Sequence, residues 1–289
     1  MTMDYFTTAM VCGVLIGVLC GLVGVLVVLR RRAFFTVALT HATFPGGVLA
    51  AILGVNVVLG AGVMGLALMA LMVWLSRIHR QGSQVAAGVV LSLGYALGML
   101  LLSLNPWLPV KVDSFLAGHI LAIPVSNVVI IAVVLGVTVL AYVAYGKELL
   151  FSTFDRRGFV ASGHRESSAD VVALGLITLT VVAVMPAIGS ILAIAMIAAP
   201  AASARLLTKR VGRMLVIACL LGAVAAVGGL VISRYLGFAA GGAIAIAATL
   251  VFLISLAIRT IRSRSVASSG GARGRVSAIP APPVEVTAR

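Results

Sequence analysis

The sequence predicts an all-α protein: a polytopic transmembrane helical bundle of about eight to nine spans, with the N-terminus outside and the C-terminus in the cytoplasm. Hydrophobic residues make up 62% of the 289 positions and charged residues only 10%, whereas soluble domains carry about 25% charged residues. Long uncharged runs alternate with short basic clusters. A fold surrounded by water cannot bury this much apolar surface, so lipid must be the solvent for most of the chain.

The uncharged runs give the helices in order. A helix needs about 20 residues to cross the roughly 30 Å of bilayer hydrocarbon. Segment 105–127 contains three prolines and two charged residues, so it predicts an excursion on the outer face, with a short helix at 114–121. The predicted spans lie in the runs 6–29, 33–54, 57–76, 84–104, 128–145, 171–204, 214–233 and 235–258.

The first run has a stripe of small residues on one helix face. Gly13, Gly17 and Gly21 recur every four residues, which lets two helix backbones approach closely. Packing within the chain is the favoured interpretation, and a subunit or pore-lining seam is the alternative.

Run 171–204 is too long for one helix and short for two. Pro186 and Gly189 interrupt it near the middle, where a turn costs least. Basic residues flank both ends, which places both ends in the cytoplasm and requires an even number of crossings. The sequence therefore predicts two short helices, 171–187 and 190–204, or alternatively one re-entrant hairpin.

The basic residues set the topology. With nine crossings, 19 of the 21 Lys and Arg residues fall on the cytoplasmic side, and only Lys111 and Arg234 fall outside. This distribution follows the positive-inside rule. It also explains the net charge of +14 without a nucleic-acid partner, because the positive charge lies beside membrane lipid rather than in one patch.

Two regions differ in composition. Residues 1–262 form the predicted transmembrane domain. Residues 263–289 are rich in Ser, Gly, Ala, Pro and Arg, which predicts a disordered, basic cytoplasmic tail. Its charge favours contact with anionic membrane lipid.

The residues and motifs that the chain lacks argue against several classes of function. The predicted spans contain no Asp or Glu, which argues against a proton-coupled carrier, because such carriers hold their proton on an intramembrane ionisable group. The chain also lacks a GxxxxGK[ST] phosphate loop, a HExxH and a GxSxG motif, so the sequence does not predict an enzyme. If ATP drives this protein, another polypeptide must bind it.

His41 is the ionisable residue that lies deep within a predicted span. It belongs to the stretch L-T-H-A-T-F-P-G at 39–46, where Pro45 removes the backbone hydrogen bond to the carbonyl of His41. A broken helix beside an imidazole is typical of a transport path. A neutral histidine bonded to a neighbouring helix is an equal alternative.

The stretch 200–213 reads P-A-A-S-A-R-L-L-T-K-R-V-G-R. Proline is tolerated in the first turn of a helix, so Pro200 predicts the start of a short cytoplasmic helix at the membrane surface. Small residues followed by an apolar pair and four basic residues indicate a docking face, and a plain basic loop is the alternative.

These stretches resemble the zinc/manganese permease family of bacterial ABC importers, over residues 6 to 258. The most specific similarity is the run A-I-G-S-I-L-A-I-A-M-I-A-A-P-A-A-S-A-R-L-L-T at 187–208. Further similar motifs follow in the family's order: L-T-H-A-T-F-P-G at 39–46, F-L-A-G-H-I-L at 115–121, F-D at 154–155 and G-G-A-I at 241–244.

The resemblance implies the membrane permease subunit of an ATP-binding-cassette importer for Zn²⁺ or Mn²⁺ in the plasma membrane. Its partners would be a second copy, a cytoplasmic ABC ATPase and an extracellular solute-binding protein. ATP would bind the ATPase, and this chain would bind no cofactor. His41 and Thr40 would be transient ligands on the translocation path, with His41 as the metal ligand. The ATPase-coupling helix would comprise Pro200, Ala201, Ala202, Ser203, Ala204, Arg205, Leu206 and Leu207.

The chain departs from the family pattern at four positions. Val37 and Gly237 stand where the family usually has Asp, Ala239 where it often has Pro, and Pro186 where Gln is common. The cargo therefore stays open between zinc, manganese, iron and a non-metal substrate. A secondary carrier or channel is the alternative to the ABC permease.

Overall fold

The computed structural model describes residues 5–76, 83–107, 118, 120–163 and 166–270, where every regular element is a helix. Eight stretches of these residues are long and apolar enough to cross a membrane, which confirms the predicted all-α transmembrane bundle. The α-helices are α1 Tyr5–Leu29, α2 Ala33–Ala42, α3 Phe44–Ile52, α4 Val57–Ser76, α5 Ser83–Leu104, α6 Val125–Phe154, α7 Arg156–Ala161, α8 Glu166–Leu207, α9 Val211–Leu236 and α10 Ala240–Gly270.

Two helices run past their predicted ends. Helix α6 continues to Phe154 rather than stopping at 145, and its 30 residues measure about 45 Å. Its last turns, with Lys147 and Glu148, therefore extend beyond the hydrocarbon layer. Helix α10 continues to Gly270, past the end of the predicted span at 258, and residues 271–289 of the predicted tail lie outside the described residues.

The predicted outer excursion is only partly described. Ile120–Ala122 form one turn of 3₁₀ helix, just before α6 begins. Residues 108–117 and 119, which include most of the predicted short helix at 114–121, lie outside the described residues.

The glycine stripe of α1 packs against α9. A Cβ atom added to Gly17 would lie 2.5 Å from the backbone of Gly222, and one added to Gly21 would lie 2.6 Å from the carbonyl oxygen of Ala218. These distances leave no room for a side chain, so small residues are required on both helices. The stripe serves packing within the chain, as favoured from the sequence.

Helix α8 is a hairpin rather than one long rod. Gly189 has φ 75° and ψ 170° inside it, a conformation that suits glycine alone. We call residues 166–188 the first limb and residues 190–207 the second limb. Asp170 of the first limb contacts Arg30, and Arg205 of the second limb donates to the carbonyl oxygen of Val28 at 3.2 Å.

Both limbs therefore end beside the same end of α1. The turn between them lies at the opposite end of the bundle, where Ile188 shares a cavity with Gly118 and Gly242. Limbs of 23 and 18 residues measure about 35 Å and 27 Å, close to the hydrocarbon thickness. The two-helix prediction for run 171–204 agrees with this geometry, with each limb a few residues longer.

Charged side chains gather at one end of the bundle. We call this end, which contains Arg30, Arg156, Asp170 and Arg205, the basic end. The positive-inside rule predicts that it faces the cytoplasm.

Candidate functional site

His41 lies where α2 meets α3. Helix α2 ends at Ala42 and α3 begins at Phe44, with Pro45 in its first turn. Thr43 between them keeps right-handed helical angles, φ −75° and ψ −18°. Residues Ala33 to Ile52 therefore form one span that contains His41. Pro45 has no backbone N–H, so one helical hydrogen bond is missing at the carbonyl of His41.

The ring of His41 faces helix α5. Its centroid lies 6.2 Å from that of Tyr95, with the two planes at 83°. Tyr95 also stacks on Phe44 at 6.2 Å and 27°. His41 is half-buried, so its imidazole has both an aromatic neighbour and access to the bundle surface.

Thr40 points away from this site. Its side chain is fully buried, and its hydroxyl donates to the carbonyl oxygen of Val37 at 2.8 Å. Successive helix residues lie about 100° apart around the axis, so Thr40 and His41 face different neighbours. The structure does not bring the two predicted ligands together.

Thr43 and Met185 form a polar contact that the sequence reasoning missed. The hydroxyl oxygen of Thr43 lies 2.9 Å from the sulfur of Met185 and 3.1 Å from the carbonyl oxygen of Thr40. Thr43 belongs to the same 39–46 stretch as His41, so its position in that motif could have identified it as a candidate. Met185 offered no signal, because it lies 142 positions away in the sequence.

The interior holds further neutral oxygens. Among the described residues, the buried hydroxyls of Thr138, Thr180 and Ser190 have no hydrogen-bond partner. Ser190 directly follows the Gly189 turn. Buried hydroxyls of this kind commonly bond to a buried water molecule. No group of three His, Cys, Asp or Glu side chains in the described part of the chain could hold a metal ion.

The departures from the family pattern lie at opposite ends of the bundle. Val37 is half-buried and lies one helical turn before His41, so both side chains are on the same face of α2. Gly237 caps the end of α9 with φ 68°, a left-handed conformation that glycine adopts without strain.

The predicted coupling segment is mostly a packing surface. The structure contradicts the prediction that Pro200 starts a new helix, because the second limb of α8 passes through it without interruption. The helix is already established when it reaches Pro200, and the neighbouring alanines favour its continuation. Ala201 and Ala204 are fully buried and pack with Val25, Met214 and Ala218.

Only the end of that segment reaches the surface. Ser203 is buried and donates to the carbonyl oxygen of Ala199 at 2.8 Å, whereas Arg205 is exposed. Ala202, Leu206 and Leu207 are partly exposed. A partner that approaches the basic end could contact Arg205, Leu206 and Leu207, but not the face formed by Pro200, Ala201, Ser203 and Ala204.

Helix α7 presents a second surface at the basic end. The carboxylate of Asp155 accepts a hydrogen bond from the amide of Gly158 at 2.8 Å, which caps the helix. Phe159 is fully buried against Phe151, with ring centroids 5.6 Å apart. Phe154 and Val160 remain 67% and 51% exposed, so an anchored helix displays apolar side chains beside arginines.

Arg30 ties α1 to α6 and α8. Its guanidinium donates to the hydroxyl of Ser152 at 2.6 Å, the hydroxyl of Thr153 at 3.1 Å and the carbonyl oxygen of Leu149 at 3.2 Å, and it pairs with Asp170. Only 7% of the side chain is exposed. Burial lowers the pKa of Arg30, and the charge of Asp170 opposes that shift. An arginine still keeps its proton at neutral pH, so the pair is a charged clasp.

Comparisons with known proteins cover nearly the whole bundle. The family described as the ABC 3 transport family matches residues 2–259. The manganese import system permease protein ScaB of Streptococcus gordonii is 33% identical over 257 residues, which cover 88% of this chain and 91% of ScaB. The chelated iron transport system membrane protein YfeC of Yersinia pestis is 32% identical over 250 residues, which cover 86% of this chain and 85% of YfeC.

A solved structure shows the same likeness. PsaBC from Streptococcus pneumoniae in complex with Fab is similar with a TM-score of 0.78 and 30% sequence identity. The match covers 88% of this chain and 91% of the other. The likeness therefore extends to the arrangement of the helices and is not limited to one motif.

Proposed function

The chain belongs to the ABC 3 transport family, and from this premise we propose that it is the permease subunit through which a divalent metal ion enters the cell. It is a multi-pass protein of the plasma membrane. ATP hydrolysis takes place on a separate subunit, because the permeases of this family do not carry the ATPase themselves.

His41 carries the proposal for the cargo. It is an imidazole within a span, and the described spans hold Asp and Glu only near their ends. Imidazole, hydroxyl and thioether groups coordinate first-row transition metals, and without a carboxylate they bind such ions weakly. Weak ligands let an ion pass, whereas strong ligands would trap it. Mn²⁺ is the first cargo to test, because ScaB is named for manganese, and Zn²⁺ is the second.

The ATPase subunit is proposed to dock at the basic end. Its contact surface would combine Arg205, Leu206 and Leu207 with Phe154 at the end of α6 and Val160 of α7. The buried residues of the coupling segment, Ala201 and Ala204, would transmit the motion to α1 and α9, because they pack against both helices. A solute-binding protein would deliver the ion at the opposite end, and a second copy of the chain would complete the permease.

Metal uptake by the reconstituted transporter tests the role of His41. Proteoliposomes containing this chain and its ATPase should accumulate Mn²⁺ when ATP is supplied, and His41→Ala should lower the rate about tenfold, which corresponds to about 1.4 kcal/mol in the barrier. Tyr95→Phe keeps the aromatic contact and should retain most of the uptake. Unchanged uptake in His41→Ala would remove this residue from the path.

The same vesicles separate the permease from a secondary carrier or channel. Without the ATPase, the chain should show no uptake down a Mn²⁺ gradient. Gradient-driven uptake that is indifferent to ATP would contradict the proposal. If Mn²⁺ and Zn²⁺ are both excluded while ATP hydrolysis remains coupled to another solute, the cargo assignment alone would be wrong.

A further inference from the structure

A cavity of about 430 Å³ opens at the basic end. Three segments that are far apart in the sequence contribute arginines to it: the α1–α2 turn, the start of α7 and the end of α8. Cations scattered along loops would satisfy the positive-inside rule, but here they converge on one concave space. The arginines that line it are Arg30, Arg31, Arg32, Arg156 and Arg205.

The carboxylate of Asp170 balances only part of this charge. Asp170 is the one acidic residue among the described residues that line the cavity, and it pairs with Arg30 and lies 3.5 Å from Arg32. Arg31 is exposed, and Arg205 donates to a neutral backbone carbonyl. The guanidinium groups of Arg31 and Arg205 therefore lack an anionic partner among the described residues. A cleft lined by one sign of charge attracts an opposite charge from outside the chain.

Arg31 also occupies an unfavourable backbone conformation. Its φ of 54° is the only positive φ of a non-glycine residue in the part of the chain that the structure describes. Glycine adopts this conformation without strain, whereas a side chain disfavours it. The turn alone would be better served by glycine, so the strain favours a role for the arginine side chain at the cavity.

The cavity lies beyond the hydrocarbon layer. Phe154, the last residue of α6, lines it and is 67% exposed. The 30 residues of α6 measure about 45 Å, against roughly 30 Å for the hydrocarbon. A soluble protein can therefore reach the cavity. Exposed arginine and aromatic side chains together are typical of surfaces that bind another protein.

We propose that this cavity receives an Asp or Glu side chain of the ATPase subunit, whose carboxylate pairs with the guanidinium groups of Arg31 and Arg205. A guanidinium group matches a carboxylate in geometry as well as in charge. The inference rests on the proposed function, which places the ATPase at the basic end, and it adds the chemistry of the contact.

This contact would connect two moving parts of the permease. Arg31 lies two residues before the start of α2, the helix that carries His41, and Arg205 lies in the last turn of the second limb of α8. A single carboxylate held by both arginines would transmit a displacement of the ATPase to the α1–α2 turn and to α8 at the same time.

A pair of charge-matched variants tests the contact. Arg31→Gly with Arg205→Gln removes both guanidinium groups, and glycine relieves the positive φ of residue 31. The control, Arg259→Gln with Arg262→Gln, removes the same charge from exposed positions of α10 that do not line the cavity. The measurement is the affinity of the purified ATPase for the full chain in nanodiscs, at low and at high salt.

The cavity variant should bind the ATPase about tenfold more weakly than the wild type, as expected for the loss of two ion pairs, and the control should bind it normally. Higher salt should weaken the wild-type complex more than that of the cavity variant, because salt screens the ion pairs that only the wild type makes. Equal affinities of the two double variants would overturn the contact.

A zero-length crosslink tests whether a carboxylate occupies the cavity. Lysine keeps the positive charge, and a carbodiimide joins its amine to a carboxylate in direct contact as an amide, with loss of water. Arg31→Lys or Arg205→Lys should therefore give an adduct that peptide mass spectrometry maps from the new lysine to an Asp or Glu of the ATPase. Arg259→Lys is the matched control. No adduct at residue 31 or 205, or an equal yield at residue 259, would contradict the proposal.

The outcomes separate this inference from the function on which it rests. An ATPase that does not bind the wild type at all would contradict the proposed function, whereas equal binding to every variant would remove only the cavity contact. Phosphatidylglycerol that the cavity variant loses, but that stays on the wild type when the ATPase binds, would identify a lipid as the occupant and overturn the inference.

The single variant Arg31→Gly covers the case in which the double variant fails to fold. It should keep the Tm of the wild type, because the strain at residue 31 is relieved, and still bind the ATPase more weakly. Unchanged affinity in this variant would overturn the proposal.

Discussion

Arg30 at the basic end and His41 in the bundle interior are held in opposite ways. Arg30 is almost fully buried, donates to three neighbouring oxygens on α6 and pairs with the carboxylate of Asp170 on α8. His41 is half-buried and has one aromatic neighbour, Tyr95. The first arrangement fixes three helices together, and the second leaves a half-buried imidazole with one aromatic neighbour.

The difference indicates where this chain uses charge. Strong, saturated interactions lie at the end where helices are joined and where a partner subunit would push. The interior, which an ion would cross, contains hydroxyls, a thioether and an imidazole. A permease driven by ATP needs both properties, because the bundle must transmit force without binding its cargo tightly. Substitutions that weaken the interactions of Arg30, or strengthen the metal ligands around His41, test this comparison.

The largest effect is expected at Arg30. Arg30→Ala leaves Asp170 without its main partner and removes the donor of three other hydrogen bonds. Because Asp170 is 32% exposed and Arg32 remains 3.5 Å away, the cost should be about 3 kcal/mol, the low end for breaking a buried ion pair on one side. The Tm of the detergent-solubilised chain should fall by many degrees. Arg259→Ala, at an exposed position of α10, should change stability by less than about 0.5 kcal/mol. Equal Tm values for the two variants would show that the clasp does not hold the helices.

More of the fold than of this ion pair could be predicted from the sequence. Pro186, Gly189 and the flanking charges predicted the two limbs of α8, because helix breakers and charge act locally along the chain. Arg30 and Asp170 are 140 positions apart, and neither has a sequence pattern that identifies the other. Their pairing exists only because both limbs of α8 end beside α1.

Local rules also failed where packing overrides them. Pro200 predicted a helix start, yet the second limb passes through it because Ala201 and Ala204 pack tightly with Val25 and Met214. The same burial explains why most of the predicted coupling segment is not a free surface. His41 was found from the sequence because a histidine in an uncharged run is conspicuous, but its neighbour Tyr95 depends on how α5 packs.

A carboxylate beside His41 should strengthen the weak site. Val37→Asp places an acid one turn before His41 on the same face of α2, and without metal the buried charge should cost about 2.5–3.5 kcal/mol. Mn²⁺ at one hundred times its Kd should restore about 2.7 kcal/mol. We therefore expect a Tm that rises with Mn²⁺ in Val37→Asp but not in the wild type.

Two further variants isolate the cause. Val37→Asn has nearly the same shape without the charge and should show no rise in Tm with Mn²⁺. Val37→Asp combined with His41→Ala should lose most of the rise, because one of the two ligands is missing. A rise that survives without His41 would mean that the two side chains do not share an ion.

The smallest effect is expected at the cap of α7, on the proposed docking surface. Asp155→Ala removes the acceptor for the amide of Gly158, and the loss of such a cap costs about 1 kcal/mol. Hydrogen exchange over residues 156–161 should become about fivefold faster, and the ATPase should copurify less well, while the Tm of the bundle changes little. Asp155→Asn keeps a side-chain oxygen and should preserve both properties. If the alanine variant bound the ATPase as well as the asparagine variant, α7 would not be part of the docking surface, and Arg205, Leu206 and Leu207 would have to provide the contact.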